Sequence, residues 1–316
     1  MKIVFLGTPE FGSIILEGLA KTNFKPILVI TASDKPVGRK QIITPPPVKI
    51  VSQKYDISVA QPERAEEIKL EIEKVTPDLA IVAAYKHLIP KDILEIPKYG
   101  FLNVHPSLLP SWRGASPVQH TILNGDKETG VTIILMDEKI DHGKIIAQSR
   151  IEIKNNKITS EELTKEMAEL GAKLLIETIP AWIGGEIKPI SQDDSKATHT
   201  RILTKENGKI DWSKSAEYLE RQIRAFNLWP GTFTTLKGKN GIPKTLKIFK
   251  AFVLEQTEKG PFGSPGKTYL APNDKIAVQC GKDFLVVEEL QIEGGKRISI
   301  KDFLLGHPDF IGITLK

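Results

Sequence analysis

Phe101-Leu102-Asn103-Val104-His105-Pro106-Ser107-Leu108-Leu109-Pro110 sets two polar residues at alternate positions of an apolar run and then interrupts it with proline. If 102–105 is extended, successive side chains take opposite faces, so Asn103 and His105 share one face and Val104 takes the other. Two hydrogen-bonding groups then point at one small volume. Pro106 offers no N–H to a ladder, so the strand should end there and leave the pair at its carboxyl edge. In open α/β sheets ligands bind outside that edge. Taken alone, the pair fits equally well a polar strand end whose side chains bond to neighbouring loops.

A third member tips the balance. Gly130 to Met136 (GVTIILM) reads as another buried strand, followed by the polar turn Asp137-Glu138-Lys139-Ile140-Asp141-His142-Gly143. A parallel neighbour would set that turn beside the same edge. Asn103, His105 and Asp141 are therefore expected to converge.

Outward from this point the chain reads as a Rossmann-like α/β unit, a mainly parallel sheet with helices on both faces. Ile3 to Leu6 is a short strand, and Gly7-Thr8-Pro9-Glu10-Phe11-Gly12 leads into a helix over 13–21. The turn lacks the middle glycine of G-x-G-x-x-G and has no Gly-Lys-Ser/Thr, which argues against dinucleotide or nucleoside triphosphate binding. Pro26 to Thr31 is a second strand, and Leu79 to Tyr85 is the most continuously apolar one, as suits the centre of a sheet covered on both faces. Helices are expected over 47–55, 63–75, 116–124 and 159–183, the last opened by a capping-box start at Thr159 and stopped by Gly184-Gly185. Between strand two and the next helix, Asp34 to Pro47 reads as a long, basic loop fenced by prolines.

Residues 1–188 are thus expected to form one domain, 189–205 a linker with little periodicity, and 206–316 a second domain. Short β-rich runs separated by Gly, Pro and Asn suggest that the second domain is a small barrel. Charge divides unevenly between the parts. Residues 1–202 hold 26 basic and 26 acidic side chains, while 203–316 hold 18 and 13, so the whole formal charge of +5 belongs to the second part. That asymmetry suggests a polyanionic partner, against the plainer reading of a lysine-rich solvated surface.

No stretch approaches membrane-spanning length, and the N-terminal run is too short and interrupted for a signal peptide, so a cytoplasmic protein is expected. The single cysteine, Cys280, cannot form an internal disulfide and reads as a packing residue. His87, His120, His199 and His307 stand apart from ligand partners, and His142 reads as an exposed turn residue. No ligand spacing supports a metal site.

Three stretches, NVHPSLLPSWRGASPVQ at 103–119, TGVTIILMDEKIDHG at 129–143 and MKIVFLGTPEFG at 1–12, together resemble the methionyl-tRNA formyltransferase family of folate-dependent enzymes. The resemblance runs on through KIDWSKSAEYLERQIRAFNLWPGT at 209–232. It implies an OB-like, tRNA-binding second domain, 10-formyltetrahydrofolate as formyl donor without a metal, and initiator methionyl-tRNA as acceptor. Ser107, Leu108, Leu109 and Pro110 would then bind folate, with the 86–89 segment and the Asp137 to Asp141 turn. Relatives usually carry Tyr-Gly-x-Ile-Leu-Pro at the former, where this chain has Lys86 and His87. The match KPVGRK assigns contact with the tRNA acceptor arm to Arg39. A monomer is expected. In this chemistry Asn103 and His105 would donate to the formyl oxygen as it becomes anionic, and Asp141 would hold the imidazole and assist proton transfer. A formyltransferase acting on an amino sugar nucleotide would share 103–141 without needing the basic loop. An RNA-binding protein on a degenerate scaffold would not need the intact trio.

Overall fold

The computed structural model describes residues 1–38, 40–237, 242–256, 263–271 and 275–316. The chain forms two compact units: Met1–Pro117 with Lys127–Ile153 and Glu162–Arg201, and Val118–Asp126 with Lys154–Glu161 and Ile202–Lys316.

The first unit alternates strands and helices. β1 (Ile3–Gly7) leads to α1 (Glu10–Ala20), β2 (Leu28–Ile30), the short strands β3 (Lys35–Val37) and β4 (Ile42–Thr44), and α2 (Pro47–Lys54). The chain continues through β5 (Ser58–Ala60), α3 (Ala65–Val75), β6 (Leu79–Ala83), α4 (Lys91–Leu94) and β7 (Phe101–His105). It then passes through α5 (Pro117–Asn124), which after Pro117 belongs to the second unit, and on to β8 (Glu128–Leu135), β9 (Lys144–Glu152) and α6 (Ser160–Ile183). The sheet order is β5-β2-β1-β6-β7-β8-β9, which puts the aliphatic β6 at the centre with all five residues buried. Pairings from β5 to β7 are parallel, as βαβ crossovers demand. Gly7 and Gly12 owe their place to packing, since a Cβ at either would lie 2.7 Å from the Ala83 carbonyl oxygen.

Two expectations about these elements are corrected. β8 runs antiparallel to β7, with Leu102 opposite Leu135 and His105 opposite Thr132. β9 is antiparallel to β8 in turn, so the 136–143 turn is a hairpin connection rather than a loop at the carboxyl edge of a parallel neighbour. The 34–47 segment also differs from a plain loop. β3 and β4 pair as a two-stranded ribbon whose Val37, Ile42 and Ile43 are exposed.

In the second unit, α7 (Ala216–Ala225) precedes β10 (Thr232–Lys237), β11 (Pro243–Leu254), β12 (Thr268–Ala271), β13 (Lys275–Gln279), β14 (Phe284–Ile292), β15 (Ile298–Ser299) and α8 (Ile300–Gly306). The sheet is antiparallel in the order β10-β11-β14-β13-β12, with β15 beside β14. The last residues join its two edges. Thr268 N–H donates to the Ile313 carbonyl on the β12 side, and Thr235 and Lys316 exchange two backbone hydrogen bonds on the β10 side. That closure makes a small barrel. Its core holds Trp212, Leu246, Ile248, Val287, Phe303 and Leu315. Cys280 belongs to the same core, and burial pushes its thiol up to about 12, as a packing residue requires.

Candidate active site

Alternation along β7 does what its sequence implies: Asn103 and His105 lie on one face, buried to 9% and 4% residual exposure. Asp141 reaches them from the β8–β9 turn. Its Oδ1 accepts from Asn103 Nδ2 at 3.1 Å and lies 3.4 Å from His105 Nδ1, while its Oδ2 accepts from the Gly114 N–H at 2.8 Å. Since β8 ends beside the amino end of β7, the turn must fold back over the sheet to bring Asp141 there. It begins with Met136 N–H on the Phe101 carbonyl. Asp141 adopts a φ of +50°, and a Cβ at Gly143 would collide with the Leu135 carbonyl, so glycine is required where the turn rejoins β9.

His105 Nε2 lies 3.1 Å from the Trp112 carbonyl, so both ring nitrogens face acceptors. A neutral imidazole donates from only one nitrogen; the cationic ring donates from both. Asn103 Nδ2 carries two hydrogens, and the Asp141 bond uses one of them.

The loop after β7 is fastened from β8 and β9. Thr132 Oγ1 donates to the Ser107 carbonyl at 2.7 Å and accepts from Leu109 N–H at 3.0 Å. Gln148 Nε2 donates to the Leu109 carbonyl at 2.9 Å. Ser107 is buried and donates to the Ser111 carbonyl, Leu109 is buried, and the Leu109-Pro110 bond is cis. Sequence reading did not single out Thr132 or Gln148, although a hydroxyl inside GVTIILM was a visible interruption. In the 86–89 segment, Ala84 has a φ of +54°, Ile89 is buried and Leu88 is exposed. Tyr85 and His87 are in ring contact. Burial, then the nearby Lys86 charge, holds the His87 imidazole below its ordinary value. Ile140 leaves a second apolar side chain exposed, and Lys91–Glu138 at 3.9 Å links its turn to the segment that follows Leu88.

The 189–201 stretch lies against the site. Arg113 N–H donates to the Thr198 carbonyl, Thr200 N–H donates to the Arg113 carbonyl, and Thr198 Oγ1 accepts from Trp112 N–H. Arg113 itself is buried, its guanidinium bonded to Gln192 and Asp194, which makes it a framework residue. That guanidinium holds the Asp194 carboxyl below the usual carboxylate range. His142 is not the exposed turn residue expected: it is half-buried, with Nδ1 2.6 Å from Asp137 and Nε2 3.5 Å from Asp194. Arg39 lies outside the described residues. Among those described, no group of three or more His, Cys, Asp or Glu could hold a metal ion.

Residues 1–179 match the family model described as formyl transferase, and 202–308 match that of the formyl transferase C-terminal domain. A methionyl-tRNA formyltransferase of Caldicellulosiruptor saccharolyticus is 43% identical over 314 residues, covering 97% of each chain. One from Bacillus velezensis is 41% identical over 309 residues, covering 96% of this chain and 94% of that one. Among solved structures, HypX from Aquifex aeolicus in complex with tetrahydrofolic acid shares the fold at TM-score 0.63 and 17% identity; 96% of this chain is covered, but only 47% of HypX. WlaRD, a sugar 3N-formyl transferase, aligns at TM-score 0.63 and 20% identity over 91% of this chain and 96% of that one.

Proposed function

This chain belongs to the formyl transferase family and, within it, to the methionyl-tRNA formyltransferases, and from that membership we infer that it moves the formyl group of 10-formyltetrahydrofolate to the α-amino group of methionyl-tRNA. The observation that carries the site assignment is the meeting of Asn103, His105 and Asp141 on one sheet face. In the reaction the amine attacks the formyl carbon, negative charge collects on the formyl oxygen, and the bond from that carbon to N10 breaks. One proton leaves the amine and one arrives at N10. The free N–H of Asn103 is suited to the developing oxyanion. His105 donates there as well if its Nε2 N–H turns from the Trp112 carbonyl, with Asp141 holding the ring from its Nδ1 side. Asp141 carries the proton from amine to N10, directly or through water.

Ser107, Leu108, Leu109 and Pro110 are proposed to take the folate. The support is that Thr132 and Gln148 already occupy part of this loop's polar backbone, which fixes its shape, while exposed Leu88 and Ile140 supply apolar surface from adjoining segments. Initiator tRNA is proposed to contact Arg39 and the basic second unit. A cytoplasmic monomer is the proposed form. Incubating the full chain with 10-formyltetrahydrofolate and charged initiator tRNA should give formylmethionyl-tRNA. Formylation of a nucleotide-linked amino sugar instead would overturn the acceptor assignment.

A further inference from the structure

Gln192 lies between the stretches matched by the two family models, yet its side-chain amide grips the turn that delivers Asp141. Its Nε2 donates to the carbonyl of Asp141 at 2.9 Å and to that of Gly143 at 2.8 Å. Its Oε1 accepts from Arg113 Nε at 3.0 Å and Nη2 at 2.8 Å. Arg113 immediately precedes Gly114, whose N–H holds the Asp141 carboxylate. One amide therefore ties the backbone of the turn that carries the reacting carboxylate to the guanidinium of the residue just before Gly114. We propose that Gln192 is a positioning residue for formyl transfer, setting the distance from Asp141 to Asn103 and His105 without touching either substrate.

The turn needs such a tie. Asp141 keeps a left-handed φ of +50°, a region that carries some backbone strain for any residue with a side chain. From Met136 the turn has to come back across the sheet, and Asn103 grips only the end of the Asp141 side chain. Glutamine is the residue type that fits: two N–H groups meet two carbonyls, and one oxygen meets two guanidinium N–H groups. Glutamate would turn an acceptor toward the two carbonyls, and methionine would fill the volume with no bonds. Arg113 would remain tied to Asp194 in either variant, which keeps its own loop anchored.

The proposal rests on the reading of Asp141 as the proton-transfer group, and the test separates the two. Single-turnover formylation would be measured on the full-length enzyme as Gln192→Met, Gln192→Glu, Asp141→Asn and Gln192→Met/Asp141→Asn, each with a thermal melt. Displacing a reacting group by even an ångström costs about 100-fold, so Gln192→Met should slow the step about 10- to 100-fold, and Gln192→Glu at least as much. KM for both substrates should stay within about twofold, because only the transition state is affected. The double variant should be no slower than Asp141→Asn alone, since Gln192 acts through that carboxylate. A Gln192→Met enzyme within about twofold of wild type, or losses that multiply in the double variant, would overturn the proposal. Undiminished turnover by Asp141→Asn would instead overturn the assignment of Asp141.

Discussion

Asn103 and His105 differ in how much of their hydrogen-bonding capacity is free, and that difference orders their variants. Asn103 has one N–H to spare for the oxyanion, so Asn103→Ala should cost about 3 kcal/mol in the barrier, roughly 100-fold in kcat. His105→Ala should cost turnover too, but it also removes one contact each from Asp141 and the Trp112 carbonyl, so its effect should include some loss of stability. Asp141→Ala should depress kcat and leave tRNA affinity nearly intact; near-normal turnover would end its role in proton transfer. Arg39 belongs to a separate prediction. Arg39→Ala should reduce formylation of initiator methionyl-tRNA with folate binding unchanged, and Arg39→Lys should only partly restore it, because an ammonium lacks the planar fork. If Arg39→Ala keeps its preference for initiator over elongator methionyl-tRNA, the basic loop serves nonspecific attraction alone. At this scale the Asn103 and His105 pair was legible, because a period of two determines which side chains share a face. Gln192 was not, because nothing in EIKPISQDDSK distinguishes one polar residue that reaches a buried backbone from its solvated neighbours.

Elements were readable by type and position more than by direction. β6 at the sheet centre follows from its unbroken apolar run, and β7 ends where Pro106 ends it. The orientation of β8 did not follow, because GVTIILM is buried on both faces whichever way it runs, and only the short hairpin to β9 betrays the antiparallel pair. Asp141 does lie beside Asn103 and His105, but it is delivered from the turn after an antiparallel strand rather than from the edge of a parallel neighbour. Helix packing offers an independent test of the first unit. Glu17 on α1 accepts from Lys54 at 2.8 Å and from Tyr55 at 3.1 Å at the end of α2, and these bonds, with Lys21, lower its carboxyl to about 2. A folded value below the unfolded 4.5 means the stabilisation is fully present above that pH and is lost as pH falls toward about 2. Solvent screens this pair, so its contribution is small. Glu17→Gln should flatten the acid side of a plot of melting temperature against pH between those values. An unchanged acid limb would show that the contact contributes nothing measurable.

For the whole molecule, the barrel of the second unit depends on its last residues. β10 and β12 are the two ends of the strand order, and an unpaired sheet edge is a site for association with another chain. Residues 313–316 cover both ends: Ile313 and Leu315 bond along the segment from Gly266 to Thr268, and Lys316 bonds to Thr235. Leu315 also enters the core at 2% exposure, beside Trp212. Removing 313–316 therefore withdraws a core side chain and uncovers two edges at once, and a matched substitution separates these effects. Leu315→Ala keeps the backbone pairing and loses only core contact, which should cost about 2–5 kcal/mol. Deletion should cost more and add concentration-dependent association, visible by light scattering. Folate binding, assigned to the loop after β7 in the first unit, should survive in both variants, whereas tRNA affinity should fall with the barrel. If the deleted chain stayed monodisperse and bound tRNA like the intact one, closure of the barrel would have no part in acceptor binding, and the basic charge of the second unit would have to act through the sheet alone.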